Sequence, residues 1–162
     1  MGYKRMESHQ KKILALSDKL VAEIEVADTL IVGVALYNFS ISASLKLLID
    51  LVCCARKTFA YLDGTPKGLM TGKKAIVCFS SGGTQFESDI DFASGYLRHI
   101  LGFIGIIDVT FISADKHFMD RQSLTSANTA VDALIKNYKE NCDVCATKNN
   151  LNINQHYKFS KV

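Results

Sequence analysis

Residues 28–50 read DTLIVGVALYNFSISASLKLLID, and this segment indicates the fold class most clearly. Its first part is a continuous apolar run with β-branched residues, which is typical of a strand buried on both faces of a parallel sheet. Its last part repeats apolar residues at helical spacing, and Ser40 is suited to cap that helix. The intervening Tyr37-Asn38-Phe39 therefore follows a strand end and precedes a helix, which is where open α/β sheets bind ligands.

The composition bounds the kind of protein. A chain of 162 residues is long enough for one domain with a buried core. A net charge of +3, with acids and bases interspersed, is too mild to indicate a nucleic-acid partner. No apolar run approaches the ~20 residues of a membrane span, and the first residues lack the apolar core of a secretion signal. Five cysteines without a regular framework favour free thiols and a cytoplasmic location.

The rest of the chain alternates helices and strands. We expect helices over residues 8–26, 41–56, 90–101 and 122–138, and strands over 29–36, 75–79 and 106–112. A loop is expected over 58–68 and a polar, disordered tail over 141–162, which leaves 1–140 as the domain. This order predicts a parallel sheet with helices on both faces. Three strands and an opening helix indicate a doubly wound domain without its first βαβ unit.

Two loops carry the candidate site. Ser80-Ser-Gly-Gly83 follows the second strand as Leu36–Phe39 follows the first, and adjacent parallel strands would place both loops at one edge. Gly82 and Gly83 have no side chains, so backbone N–H groups there can approach a flat ring or an anion. A glycine pair alone reads more simply as a turn, and the aromatic residues as ordinary packing. Their joint occurrence at two adjacent strand ends favours a binding site.

A metal site is not predicted. Cys142 and Cys145 have the spacing of half a zinc site or of a redox pair. Only His156 follows them, whereas a structural zinc requires four ligands.

Several segments together resemble one family, the FMN-dependent NADH azoreductases, also described as NAD(P)H:quinone oxidoreductases, of the flavodoxin-like class. The matching segments keep the family's order over roughly residues 8–115, and they are Ala15–Leu20, Leu36–Ile41, Leu45-Lys46, Ile49-Asp50, Thr58-Phe59, Tyr61, Gly68-Leu69, Thr71–Ala75, Ser80, Gly82-Gly83, Tyr96-Leu97, Leu101–Ile106 and Asp108-Val109. Tyr-Asn-Phe followed by Leu-Gly-Phe-Ile-Gly is the most specific part.

The resemblance implies the following roles. The loop that packs on the isoalloxazine ring of FMN and hydrogen-bonds its polar edge would be Leu36, Tyr37, Asn38 and Phe39. The second flavin-contacting loop would be Ser80, Gly82 and Gly83. Tyr61 and Phe103 would line the substrate side of the ring across a homodimer interface. The implied cycle passes electrons from NAD(P)H through the flavin to a quinone or an azo bond, and no side chain acts as a nucleophile.

The sequence departs from the family at its beginning. The family begins with a strand and a Ser-rich loop that holds the FMN phosphate at a helix N-terminus, and this sequence has no such loop. We therefore expect the strand at 29–36 to present an exposed apolar edge, which favours aggregation. The alternative to an enzyme is a truncated, non-catalytic remnant with weak or no FMN binding.

Overall fold

The computed structural model describes residues 8–149, with side chains described from residue 10 to residue 140. Its elements, in chain order, are α1 (Ser8–Val26), β1 (Thr29–Ala35), α2 (Ala43–Val52), β2 (Phe59–Leu62), β3 (Thr65–Gly68), β4 (Lys74–Ser80), α3 (Ser94–Ile104), β5 (Asp108–Ala114) and α4 (Gln122–Asn149). Every predicted helix and strand is present, and all bounds agree within a few residues except the end of α4.

The main sheet is parallel and has β4 at its centre, between β1 and β5. Ala35 at the end of β1 pairs with Ser80 at the end of β4, which in turn pairs with Ala114 at the end of β5. Because the three strands end in line, the three loops that follow them emerge at one edge, called here the carboxyl edge.

Helices cover both faces of this sheet, as predicted. On one face, α1, α2 and α3 pack against β1 and β4 through a core that includes Val21, Val34, Ile49, Val52, Val77, Phe79, Leu97 and Leu101. On the other face, Ala127 of α4 packs against Ile76 and Ile112. The three-stranded, doubly wound arrangement is therefore confirmed.

The bounds of α2 differ from the prediction at both ends. Ser42, not Ser40, caps the helix, since its hydroxyl accepts a hydrogen bond from the Leu45 N–H at 3.2 Å. The helix ends at Val52 and not at residue 56. At this end the buried hydroxyl of Thr58 forms hydrogen bonds with backbone groups that the helix no longer pairs. That hydroxyl donates to Val52 O at 2.7 Å and accepts from Cys54 N at 2.9 Å.

The predicted loop over 58–68 is instead the β2–β3 hairpin. Asp63 and Gly64 at its tip have φ of 51° and 78°, as a two-residue type I′ turn requires. Gly68 packs directly on Gly105 after α3, because a Cβ atom on Gly68 would lie 2.1 Å from Gly105 N. The hairpin therefore sits on the C-terminal end of α3.

The last helix is longer than predicted. Because α4 continues to Asn149, the predicted beginning of a disordered tail at 141 is too early. The expectation of disorder over 150–162 lies outside the described residues, as do His156 and the side chains of Cys142 and Cys145. Among the helices that the structure describes, none has the length and apolarity needed to cross a bilayer.

Candidate active site

The turn after β1 has a strained backbone. The Tyr37 N–H donates to Ser40 O at 2.8 Å, and the Ser40 N–H donates back to Tyr37 O at 2.9 Å. Between them Asn38 and Phe39 have φ of 46° and 69°, which is again a type I′ turn. Asn tolerates this left-handed conformation, but a bulky residue such as Phe adopts it rarely. Such strain costs about 1–3 kcal/mol and clusters at functional sites.

The Gly-Gly loop begins beside this turn, because the Leu36 N–H donates to Ser80 O at 2.9 Å. Buried Ser81 fixes the loop's path. Its hydroxyl donates to Thr84 O and accepts from the Lys116 N–H, while its own N–H donates to Ala114 O. The two loops that the sequence predicts as a joint site therefore lie side by side at the carboxyl edge.

Four backbone donors at this edge are available to a ligand. The N–H groups of Asn38, Phe39, Gly82 and Gly83 donate no hydrogen bond within residues 8–149. Backbone N–H groups are strong donors, and at an exposed edge they bond to water until a ligand replaces it. Their position in two adjacent loops suits the carbonyl oxygens and ring nitrogens of a flat heterocycle. The polar edge of an isoalloxazine ring has that donor requirement, so these residues fit the ring of FMN.

The segment between Gly83 and α3 is held by two carboxylates. Asp115 accepts from the Phe86 N–H at 2.7 Å. Buried Asp91 accepts from the N–H groups of Glu87, Ala93 and Ser94 at 2.9, 2.9 and 3.0 Å. Burial acts to raise the pKa of Asp91, but the hydrogen bonds from Ser94 and the backbone outweigh it, and the pKa is lowered. Asp91 is therefore a charged cap on the N-terminus of α3.

A third loop, which sequence analysis did not consider, reaches the same edge. Residues 115–120 follow β5, and they carry the exposed side chains of His117, Phe118 and Met119. The signal that could have found them is the one used for the other two loops, because β5 also ends at the carboxyl edge.

The predicted site residues divide into three groups. The carboxyl edge brings together Tyr37, Asn38, Phe39, Ser80, Gly82 and Gly83. The side chain of Leu36 packs against the core instead of lying open at that edge. Tyr61 and Phe103 flank Phe59, whose ring centroid is 5.8 Å and 4.6 Å from theirs. Tyr61 belongs to the hairpin, and Phe103 lies at the C-terminal end of α3. Because α3 leads into the beginning of β5, this end of the helix lies at the edge of the sheet opposite to the carboxyl edge.

Burial makes one of the described cysteines, Cys53, a poor nucleophile. Cys53, Cys54 and Cys78 are all free. Burial, and next the Asp50 carboxylate, raise the pKa of the Cys53 thiol, so it stays protonated at neutral pH. Cys78 of β4 is exposed, because its strand position faces away from the main core. Within the described part of the chain, no group of three His, Cys, Asp or Glu residues could hold a metal ion.

One cavity of the described part of the chain lies apart from this site. A cavity of about 290 Å³ lies between α1, α2, α3 and β1, and its lining is almost wholly aliphatic. It lies beneath the helices and offers almost no polar group to a heterocycle.

Helices on both faces of a parallel sheet, with a polar turn and a Gly-Gly loop at one edge, define a flavodoxin-like protein. The model of the family described as "Flavodoxin-like fold" matches residues 3–141. A relative from a Jannaschia species, named FMN-dependent NADH:quinone oxidoreductase 1, is 51% identical over 128 residues, which are 78% of this chain and 67% of that protein. A Hahella chejuensis protein of the same name is 50% identical over 115 residues, 71% of this chain and 56% of its own. The chain therefore belongs to the flavodoxin-like family of FMN-dependent NADH:quinone oxidoreductases.

Solved structures show the same fold. The crystal structure of an FMN-dependent NADH-azoreductase from Bacillus anthracis, in complex with FMN, superposes with a TM-score of 0.76. It is 24% identical and the match covers 83% of this chain and 67% of that one. The chain thus spans about two thirds of that structure and of the Jannaschia relative, and little more than half of the Hahella relative.

Proposed function

We propose that this chain is an FMN-dependent oxidoreductase that passes electrons from NAD(P)H to quinones or azo compounds. The observation that carries the proposal is the pairing of two strand-end loops with four available N–H donors. The names of the relatives at 51% and 50% identity support the same activity. When bound, FMN supplies the two-electron chemistry, and the protein supplies binding and orientation.

The chain's own residues would hold the ring as follows. The N–H groups of Asn38 and Phe39 on one side, and of Gly82 and Gly83 on the other, are the donors for its polar edge. The exposed rings of Tyr37 and Phe39 supply apolar surface next to those donors. Because the type I′ turn fixes the backbone of Asn38 and Phe39, these donors need not reorganise on binding.

The partners that we propose are a small quinone or azo acceptor and a second copy of the chain. Tyr61 and Phe103 lie toward the opposite edge from Asn38 and Gly82, which supports a site role for them from a second protomer and not from their own. A homodimer would bring them to the site. Tyr61 is 64% exposed, as expected of a residue that contacts a second protomer.

We also propose a cytoplasmic location. The three cysteines whose side chains are described are free, although two of them, Cys53 and Cys54, are adjacent in the chain. Free thiols are typical of a reducing compartment.

Flavin retention tests the function directly. The full chain is mixed with FMN and desalted, and the flavin that stays bound per chain is measured. NADH oxidation is then followed with a benzoquinone. We expect retained flavin and quinone-dependent turnover, both reduced by Asn38→Ala, because Ala tolerates the left-handed conformation less well than Asn and so displaces the N–H donors of the turn. Asn128→Ala, on the exposed surface of α4, is the control. A colourless protein that stays inert in excess FMN would instead favour the non-catalytic alternative.

A further inference from the structure

The loop after β5, residues 115–120 and called here the edge loop, is bonded to the Gly-Gly loop along its length. The His117 N–H donates to Ser81 O, and the Phe118 N–H donates to Gly82 O, both at 3.1 Å. The loop also closes on itself, because the N–H groups of Met119 and Asp120 donate to Lys116 O at 2.7 and 2.8 Å. The positions of Phe118 and Met119 are therefore fixed relative to Gly82 and Gly83.

The ring of Phe118 lies directly on Gly82. A Cβ atom on Gly82 would come within 2.6 Å of two atoms of that ring, so a larger residue at this position would displace the ring. The sulfur of Met119 lies 4.0 Å from the Cβ position of Gly83. Gly82 thus serves a purpose that sequence analysis did not foresee, since its missing side chain makes room for an aromatic ring of this chain.

Packing within the chain does not account for these two side chains. Phe118 is 84% exposed and Met119 is 79% exposed, although the His117 ring contacts the Phe118 ring at a tilt, with 4.4 Å between centroids. Single exposed apolar residues are common on protein surfaces. These two differ because hydrogen bonds hold them against the loop whose N–H groups are available to a flat ring.

Resting on the proposed function, we propose that Phe118 and Met119 form an apolar wall of the active site that selects flat, two-ring acceptors over single-ring acceptors. An aromatic ring and a polarizable thioether both contact ring systems favourably. The larger the flat acceptor, the more of this wall it covers. A naphthoquinone therefore gains more from the wall than a benzoquinone.

The first test reads binding without turnover. The chain contains no Trp, so Phe118→Trp introduces a single fluorophore into the wall. A naphthoquinone is titrated into the full chain with and without FMN. We expect saturable quenching of the Phe118→Trp variant. The control, Ile107→Trp, places the fluorophore at an exposed residue just before β5, at the opposite edge, and should show only weak, linear quenching. Equal quenching of the two variants would overturn the proposal, whether or not FMN is retained.

The second test separates this inference from the function itself. In the FMN-loaded chain, Phe118→Ala should raise the KM for a naphthoquinone about tenfold, with kcat and the KM for a benzoquinone within about twofold. Ile107→Ala should leave all of these unchanged. If the loaded chain turns over and Phe118→Ala does not alter the ratio of the two KM values, the wall does not select acceptors although the proposed function stands.

Discussion

At the scale of single residues, Phe39 shows most directly that the chain is adapted to something other than stability. The backbone of Phe39, with φ of 69°, is strained in a conformation that Gly would adopt without strain. The strain is held by the paired hydrogen bonds between Tyr37 and Ser40 and by the Phe92 N–H, which donates to Phe39 O at 3.0 Å. A local conflict of this kind is expected at a functional position, which is the role proposed for Phe39.

Phe39→Gly should therefore separate stability from flavin binding. The variant has the Asn-Gly pair that type I′ turns prefer, and we expect its free energy of unfolding to rise by about 1 kcal/mol. Flavin retention should fall, because the ring surface is lost. Denaturant unfolding and retained flavin are the two measurements. Asn38→Gly is the control for stability, with a change under about 0.5 kcal/mol, because Asn already tolerates the conformation. A more stable variant that binds FMN normally would contradict a functional reason for Phe39.

The two glycines of the second loop should respond differently to the same change. In Gly82→Ala the new methyl group meets the Phe118 ring, which is exposed and can rotate away. We expect a normal fold with a displaced ring, read as a shifted emission maximum in the Phe118→Trp background. Gly83→Ala should leave that maximum in place, because only the Met119 sulfur lies near, at an ordinary contact distance. The same emission shift in both variants would show that Gly82 does not seat the ring.

Sequence reasoning reached some of these residues and missed others for physical reasons. Tyr37-Asn38-Phe39 and Gly82-Gly83 follow apolar strands, so placement alone predicted that they meet at one edge. The loop after β5 could have been placed at the same edge, but the contact of Phe118 with Gly82 could not, because it is set by hydrogen bonds between loops, which leave no periodic pattern. Ser40 and Ser42 both precede the α2 helix, so the sequence does not tell which of them is the N-cap. In the structure the backbone of Ser40 is hydrogen-bonded in the turn, and Ser42 is the N-cap.

At the scale of elements, the beginning of α3 depends on one carboxylate. Asp91 satisfies N–H groups on both sides of the helix start, including those of Ala93 and Ser94. A negative charge there also interacts favourably with the helix dipole. This cap fixes where the segment after Gly83 ends, and so it helps to position the Gly-Gly loop.

Asp91→Ala should lower the free energy of unfolding by about 1–2 kcal/mol at neutral pH. Because the pKa of Asp91 is lowered in the folded state, its contribution is present above the unfolded pKa of about 4 and is lost as the pH falls through the folded value. The difference between the natural chain and the variant should therefore shrink below about pH 4. Urea unfolding across pH measures it. Asp89→Ala, an exposed neighbour, should cost little at any pH, and an equal loss there would refute the cap.

Element types were more predictable than element ends. Apolar periodicity gave the helices and strands of the main sheet, because burial on one face repeats at the period of each element. The β2–β3 hairpin was missed, since Tyr61 and its neighbours are mostly exposed and carry no alternation. Its stability comes from the Asp63-Gly64 turn and from the contact of Gly68 with Gly105, which is a tertiary effect.

At the scale of the whole molecule, the two outer strands of the main sheet, β1 and β5, differ in how they are protected from pairing with another chain. β5 carries Asp108, which pairs with Lys74, and Arg98 lies 4.5 Å over the ring of Phe111. β1 has no charged residue between Thr29 and Ala35, and it pairs with β4 alone among the described residues. Charges, prolines and bulges are the usual means of protecting an edge strand, and β1 has none of them. The exposed apolar edge expected from the sequence is therefore present.

The exposed edge strand β1 predicts that the chain self-associates as its concentration rises. Ile31 is 67% exposed on β1, and burying such a side chain contributes about 1.5–3 kcal/mol. Ile31→Lys should therefore weaken self-association at least about tenfold, measured by sedimentation velocity over a range of concentrations. The fold should persist, because the side chain already projects into solvent. Tyr61→Ala is the comparison, because it alters the hairpin surface proposed for the homodimer and leaves β1 unchanged. Weaker association in Tyr61→Ala alone would place the contact at the hairpin and would show that the β1 edge stays free despite its apolar character.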